Sequence, residues 1–315
     1  MCLNKIKIVL ILFFITTLFY AQDPIFYNTN SSLLFLNPSY AGSNGGFRLQ
    51  NNYRNQWPNL SGNYITYGTS ADCYLKKIKG GIGLSILHDD QARGTLKNTN
   101  YNFIYAQHLK INDKLLIIPS VEFSYINYFL DKNKLSFGSQ INPRSGVVWV
   151  NTTNNPVLVK TNYDISGGFL LQYNNLFSFG FTTHHINQPD IGLVGYSKLP
   201  IRFTIHASAF LNSKNNNLKY QSILRYFQQQ NFQMLQLNNQ FILHKNYAFG
   251  VFINSSGSGG LNLGYINKWF SVNFLYDLTY SKLSGNTAGS HELAFTFNIL
   301  PKEKRISGLY TLENF

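Results

Sequence analysis

Large apolar residues alternate with small or polar ones in the stretch Glu292-Leu293-Ala294-Phe295-Thr296-Phe297-Asn298-Ile299. In an extended chain, successive side chains point to opposite faces, so the four odd-numbered residues would share one apolar face. Glu292 and the polar residues between them would share the other face. A period of two therefore predicts a β-strand that separates an apolar environment from a polar one.

The same alternation recurs from about residue 46 to residue 300, in segments of roughly the length that crosses a bilayer. Polar turns separate the segments, and the pattern as a whole is typical of a transmembrane β-barrel. The sequence therefore predicts an all-β fold: a transmembrane antiparallel β-barrel of about 14 strands. We predict strands at 46–54, 62–75, 79–88, 96–109, 114–128, 161–174, 176–187, 199–211, 218–228, 231–243, 246–255, 258–267, 269–281 and 289–300.

Composition supports a membrane barrel over a soluble sandwich. Charged residues make up 12% of the chain and aromatic residues 16%, whereas soluble domains carry about 25% charged residues. No apolar run approaches the ~18 residues that indicate a membrane-spanning helix. The net charge of +13 is more consistent with basic turns or an anionic partner than with nucleic acid, because the chain carries an export signal.

The export signal is residues 1–21, in which Lys5 and Lys7 precede the short apolar run Ile8–Tyr20. Its removal leaves Cys73 as the one cysteine, so no intrachain disulfide is expected. We divide the remainder into an N-terminal periplasmic or plug segment (22–45), the barrel (46–300) and a C-terminal tail (301–315). We expect the plug segment to pack inside the barrel or against its periplasmic end.

The connections predict the topology. An even number of strands places both termini on one side of the outer membrane, which we expect to be the periplasmic side of a multi-pass barrel. The connections that would then face the periplasm are short, as at Asn174–Asn175 and His244–Lys245, whereas those on the other side include the long loop Phe129–Lys160. Short periplasmic turns and long outer loops are typical of these barrels.

Alternation also assigns the two faces of the wall. The lumen receives the charged and polar side chains, as a paired network or the lining of a wet cavity, and lipid receives the aromatic ones. The predicted lumen residues are Arg48, Arg54, Asp72, Glu122, Asp164, Arg202, His206, Asp277 and Glu292; the predicted lipid-facing residues are Phe123, Phe169, Phe274 and Phe295.

No catalytic or metal-binding cluster stands out, so we expect neither enzymatic activity nor a cofactor. His184 and His185 are adjacent on a predicted strand and would point to opposite faces, which prevents them from binding one metal together. His88, Asp89 and Asp90 fall at a predicted outer loop, where the acidic pair would either bind a cation or simply structure the loop.

Several motifs resemble the PorP/SprF family, over nearly the whole chain after the signal and in the family's order. Asn37-Pro38-Ser39-Tyr40-Ala41-Gly42-Ser43 carries the resemblance most specifically. The others are Gln22-Asp23-Pro24-Ile25-Phe26, Tyr53-Arg54-Asn55-Gln56-Trp57, Gly81-Ile82-Gly83, His88-Asp89-Asp90, Leu135–Ile141, His185 with Pro189, Tyr276–Ser281 and Gly289-Ser290-His291-Glu292-Leu293.

The resemblance implies an outer-membrane component of type IX secretion and gliding motility, with a secretion-machinery protein or an exported surface adhesin as partner. From these motifs we select candidate partner contacts: Asn37, Pro38, Tyr40, Gly42, Arg54, Trp57, Asp89, Asp90, Gly138, Gln140, Asp277, His291 and Glu292. A general diffusion porin for small polar solutes is the alternative. An outer-membrane hydrolase has no support beyond scattered Ser and His residues.

Overall fold

The computed structural model describes residues 22–136, 138–146, 148, 157–213, 217–280 and 287–299, and they form a barrel around an N-terminal segment. The strands are β1 (Phe47–Gln56), β2 (Tyr64–Leu75), β3 (Gly80–Gln91), β4 (Leu96–Gln107), β5 (Leu109–Lys110), β6 (Leu115–Leu130), β7 (Leu158–Tyr173), β8 (Phe177–His184), β9 (Arg202–Asn212), β10 (Leu218–Gln229), β11 (Phe232–Leu243), β12 (Tyr247–Asn254), β13 (Ser258–Ile266), β14 (Phe270–Thr279) and β15 (Ser290–Ile299).

Each strand pairs antiparallel with its neighbours in sequence, and the sheet closes on itself. The two-residue strand β5 continues β4 beyond His108 and pairs with the same strand, β6. β1 closes the ring by pairing with β15 from Phe47↔Ile299 to Gln56↔Ser290. Counting β4 and β5 as one position gives a closed barrel of fourteen strands, which confirms the predicted fold class. Among the described strands, ring closure leaves no sheet edge exposed to lipid.

The two faces of the wall follow the alternation. Glu292 is 2% exposed in the lumen, whereas Phe295, three residues further along β15, is 41% exposed on the outside. The predicted lipid-facing residues Phe123, Phe169 and Phe274 are likewise exposed on the outer face. All the predicted lumen residues line the inside, so the register inferred from the sequence is confirmed.

The barrel has two unlike ends. At the short-turn end, where β1 begins and β15 ends, the described turns are tight. Asn174 and Asn175 are the central residues of the turn that the Leu176 N–H closes on the Tyr173 carbonyl at 3.0 Å, and both have positive φ values, 51° and 56°, which Asn tolerates. At the opposite, long-loop end lie the described parts of residues 57–63, 92–95, 131–157, 185–201, 230–231, 255–257 and 280–289.

Strand boundaries differ from the predicted ones mainly at the long-loop end. β3 extends to Gln91, and β7 begins at Leu158, three residues before its predicted start. β8 stops at His184 because His185 adopts a left-handed conformation, with φ 60°, that turns the chain out of the sheet. As a result β6 and β7 rise as a hairpin above β8.

Residues 22–46 lie inside the barrel. They contain the single-turn helix Leu33–Leu36, flanked by the 3-10 turns Thr29–Ser31 and Pro38–Tyr40. Within the described part of the chain no helix is long and apolar enough to cross a membrane. The expected signal peptide and the C-terminal tail lie outside the described residues.

The outer face supplies a first prediction. Phe169 is 37% exposed and lies between Tyr163 and Tyr173 on the outside of β7, near the middle of the wall. Phe169→Arg places a charge in the hydrocarbon and should destabilise the folded barrel by about 2–4 kcal/mol, whereas Phe169→Leu should have little effect. The folded fraction is measured in lipid by urea titration with heat-modified gel mobility. Equal stability of the two variants would contradict the register.

Candidate functional site: the plugged lumen

The N-terminal segment runs through the lumen from one end to the other. At the short-turn end, the Asn44 side chain donates a hydrogen bond to Asn298 Oδ1 at 2.8 Å. At the long-loop end, the Asp23 backbone N–H donates to Gln229 Oε1 at 3.0 Å. The first described residues therefore lie at the end opposite Ile299. The segment packs inside the barrel, which is one of the two placements that the sequence left open.

An apolar cluster packs the short helix against one side of the lumen. Leu34 is 1% exposed and lies among residues that face inward from β4, β6 and β7. Burying one leucine side chain in this way stabilises by about 1.5–3 kcal/mol. The cluster comprises Leu33, Leu34, Leu36, Tyr40, Ala41, Ile104, Ala106, Leu116, Ile118, Leu170 and Phe210.

A buried ion pair holds the segment near the short-turn end of the lumen. Arg48 and Asp72 form a two-point contact, with Nε–Oδ1 at 2.8 Å and Nη2–Oδ2 at 3.0 Å. Arg48 also donates to the Tyr40 carbonyl at 2.9 Å, and Asp72 accepts the Gly42 N–H at 2.7 Å. A Cβ on Gly81 would lie 2.0 Å from the Ala41 carbonyl oxygen, so only glycine permits this close approach of plug and wall.

Asn37 fixes the middle of the segment. Its Oδ1 accepts the Ser39 N–H at 2.9 Å and caps the 3-10 turn that follows. Its Nδ2 donates to the Phe169 carbonyl at 3.1 Å and lies 3.3 Å from His206 Nε2. The Asn-Pro motif therefore joins a local turn to the barrel wall.

Towards the long-loop end, a buried network holds the plug backbone. Glu292 accepts the backbone N–H of Tyr27 at 2.7 Å and of Asn28 at 2.8 Å. The same carboxylate pairs with Arg54, whose second arm lies 3.4 Å from Asp277. The Arg54 guanidinium also stacks 4.1 Å from the centre of the Tyr27 ring, a cation–π contact.

This network makes Glu292 hard to replace. Arg54 and Glu292 are 4% and 2% exposed. Removing one partner of such a buried pair leaves an uncompensated charge and costs about 3–5 kcal/mol. Here it would also leave two plug amides without an acceptor.

Asp23, near the long-loop end of the plug, belongs to a second charged cluster. Asp23 Oδ2 lies 2.7 Å from His185 Nε2 and 2.9 Å from Arg202 Nη1, while His185 Nδ1 lies 2.8 Å from Asp164. Burial alone lowers the pKa of His185, but the two carboxylates outweigh burial and raise that pKa to about 9. Burial raises the pKa of Asp23, yet His185 and Arg202 outweigh it and lower that pKa below 3.8.

His185 is thus an imidazolium that donates from both ring nitrogens. The sequence did not predict this role, because strand alternation placed His184 and His185 on opposite faces. That interpretation was wrong: both side chains are buried, and their ring centres lie 6.1 Å apart. The left-handed backbone at His185 turns its ring back into the lumen, where His184 lies 3.7 Å from Glu122.

The proposed acidic pair also separates. β3 continues through this segment, so Asp89 points into the lumen and is 3% exposed, whereas His88 and Asp90 lie on the outer face. Asp89 accepts hydrogen bonds from Thr66 and Gln91, so the structure rules out a shared cation site for the three. In the described part of the chain, no group of three or more His, Cys, Asp or Glu is placed to bind a metal.

The motif residues selected as partner contacts fall into two groups. Eight are buried against the plug or wall: Asn37, Pro38, Tyr40, Gly42, Arg54, Asp89, Asp277 and Glu292. Five reach the surface at least in part: Trp57, Asp90, Gly138, Gln140 and His291. His291 lies on the outer wall beside Phe274 and Tyr276. The buried eight hold the protein together in this conformation, so a partner would have to displace the plug to touch them.

Little space remains in the lumen. One cavity between the plug and the wall, lined among others by Asp23, Glu122, His184 and Arg202, has a volume of about 60 Å³. A single water needs about 10–15 Å³ measured in this way, so the cavity holds only a few waters. The fold and the lumen together define the class: a transmembrane β-barrel closed by its own N-terminal segment.

Several solved structures are similar to this chain in fold. The toluene transporter TbuX of Ralstonia pickettii is similar in fold, with a TM-score of 0.52 at 13% identity over 85% of this chain and 94% of that one. The Pseudomonas putida toluene transporter TodX gives 0.49 at 9% identity over 86% and 94% of the two chains. Omp33 of Acinetobacter baumannii gives 0.48 at 11% identity over 81% and 98%.

The family follows from the sequence match. Residues 18–297 match the model of PorP_SprF, the type IX secretion system membrane protein PorP/SprF. The chain belongs to the PorP/SprF family, as its motifs predicted, and is an outer-membrane β-barrel of that family. No curated protein matches it.

The Asp23–His185 contact predicts a pH dependence. The raised pKa of His185 means that its stabilising effect is complete below about pH 6.5 and is lost as pH rises through about 9. Because the pKa of Asp23 is lowered, the stability that its carboxylate contributes is lost only when the pH falls below 3.8. Between pH 6.5 and 9.5 the barrel should lose up to about 3 kcal/mol of stability, at about 1.4 kcal/mol per pKa unit.

Urea titration at several pH values measures this loss, with His185→Gln as the comparison. The stability of the variant should change distinctly less with pH over this range, because the variant lacks the imidazole that loses its proton. Asp164, Arg202, His184 and Glu122 are the same in both proteins, so the difference between the two profiles reports on His185. Parallel profiles for the two proteins would show that His185 is not charged in the fold.

Proposed function

We propose that this barrel docks a partner protein, either a component of the secretion machinery or a large exported adhesin, in type IX secretion and gliding motility. The family match supports association with that system. The barrel acts through its two rims in this proposal, because the plug occupies the lumen.

The occupied lumen is the observation that carries the proposal. Residues 22–46 bond to the wall from Asn298 at one end to Gln229 at the other. Two cavities between the plug and the wall measure about 60 and about 20 Å³, and each is far too small for the passage of polar solutes. This weighs against the diffusion porin that the sequence left as an alternative.

We further propose that the short-turn end faces the periplasm. Its turns are short and basic, with exposed side chains at Lys76, Lys77 and Lys79. Such a rim attracts an acidic periplasmic partner or anionic lipid headgroups, with a strength that falls as salt rises. In this orientation the plug carries residue 22 to the cell surface.

Epitope tags test the orientation. A tag after Asn142, in the 131–157 loop, should bind antibody on intact cells. A tag after Asn267, in the turn between β13 and β14, should bind only after the outer membrane is permeabilised. Heat-modified gel mobility confirms that each tagged barrel folds, and the reverse labelling pattern would overturn the orientation.

Gene deletion tests the docking role. We expect the deletion strain to lose one surface adhesin or to lose gliding, and the intact gene supplied in trans to restore it. The purified protein should give no large steady conductance in planar bilayers. Unchanged surface proteins and motility, together with a large conductance, would replace docking with solute diffusion.

A further inference from the structure

Charge is unevenly distributed at the long-loop end. The described parts of residues 90–97, 131–148, 157–160 and 186–198 carry seven basic residues and three acidic ones, a difference of +4. They are Arg93, Lys97, Lys132, Lys134, Arg144, Lys160 and Lys198 against Asp90, Asp131 and Asp190. The other described connections at this end, 57–63, 230–231, 255–257 and 287–289, contain no charged residue. We call the charged side the outer platform.

The outer platform is one structured surface rather than three separate loops. The Asp131 N–H donates to the Thr95 carbonyl at 2.9 Å, and Lys134 Nζ donates to the Arg93 carbonyl at 2.8 Å. On the other side of the β6–β7 hairpin, Lys160 Nζ pairs with Asp190 at 2.7 Å. Both neighbouring loops are therefore fixed to this raised hairpin.

The loop between β8 and β9 presents apolar side chains at its tip. Asp190 Oδ1 accepts the N–H groups of Gly192 and Ser197 at 3.0 and 2.8 Å, which closes the tip into a compact turn. On this turn Val194 is 85% exposed and Tyr196 is 75% exposed. Two apolar side chains held this far into water on a closed turn are available for contact with a partner.

The tip stands above the lipid. Tyr101, Tyr125 and Tyr163 lie side by side on the outer wall and form the aromatic row typical of a membrane interface. Asp190, at the root of the tip, contacts Lys160 and Asn162, which lie on the loop side of Tyr163. Acyl chains therefore do not reach Val194, and a layer of sugar headgroups has little apolar surface with which to cover it.

We propose that the outer platform is the docking surface for an acidic exported protein at the cell surface, with Val194 and Tyr196 as its apolar anchors. This rests on the proposed docking function and its orientation, and it names the surface involved. The excess basic charge selects an acidic partner and speeds encounter. The exposed tip supplies the apolar contact that stabilises the complex.

Site-specific photo-crosslinking on intact cells tests the surface directly. The photoreactive residue p-benzoylphenylalanine is placed at Val194, and at Asn59 as the control, an exposed position on an uncharged loop of the same rim. We expect an adduct with one acidic surface protein from position 194 and none from position 59. An adduct with lipopolysaccharide, equal adducts at both positions, or no adduct at 194 would overturn the proposal.

A loop variant separates this proposal from the docking function itself. Val194→Ser with Tyr196→Ser should reduce the amount of the crosslinked protein retained on the surface by about tenfold or more. Barrel folding, measured by heat-modified gel mobility, should be unchanged because neither side chain packs on the wall. If gene deletion removes the surface protein but this variant retains it fully, docking stands and the outer platform is not the surface used.

Discussion

The Glu292 carboxylate is the contact on which the closed state of this barrel depends. It accepts two backbone amides from the plug, at Tyr27 and Asn28, and it neutralises Arg54 on the first strand. β1 and β15 are also the strands that close the ring. One buried carboxylate thus joins barrel closure to plug placement. Arg54 and Asn28 are both buried in this conformation, so the guanidinium and the Asn28 amide require this acceptor.

The plug fills the lumen, which the wall of a wide barrel cannot fill by itself. Fourteen strands enclose more space than wall side chains alone would fill, and the alternation that makes the outside apolar makes the inside polar. A segment with a purely apolar surface would not match that lining. Residues 22–46 instead bury leucines against one side of the lumen and donate backbone amides to carboxylates on the other. The occupied lumen leaves the two rims as the surfaces available to partners.

Near the strand ends, the period of two did not assign side chains to the correct faces. Alternation holds only while the backbone stays extended, and a single left-handed residue cancels it. That residue is His185, whose ring turns back to meet Asp23 across the lumen. The error at Asp89 was the opposite one, since an expected loop was in fact strand, which sent His88 and Asp89 to different faces. The partners of both residues are distant in sequence, so no local sequence pattern predicts these contacts.

The sequence by itself determined the class of fold, the approximate number of strands, the face on which each strand residue lies and the family. Each of these depends on local periodicity or on short motifs, and a period of two leaves little freedom once one face must meet lipid. Only the tertiary structure decided which lumen charges pair, that the plug crosses the whole barrel, and that most motif residues are buried. Those features depend on the register between strands far apart in the chain and on the path of residues 22–46. They arise only when the ring closes around the segment.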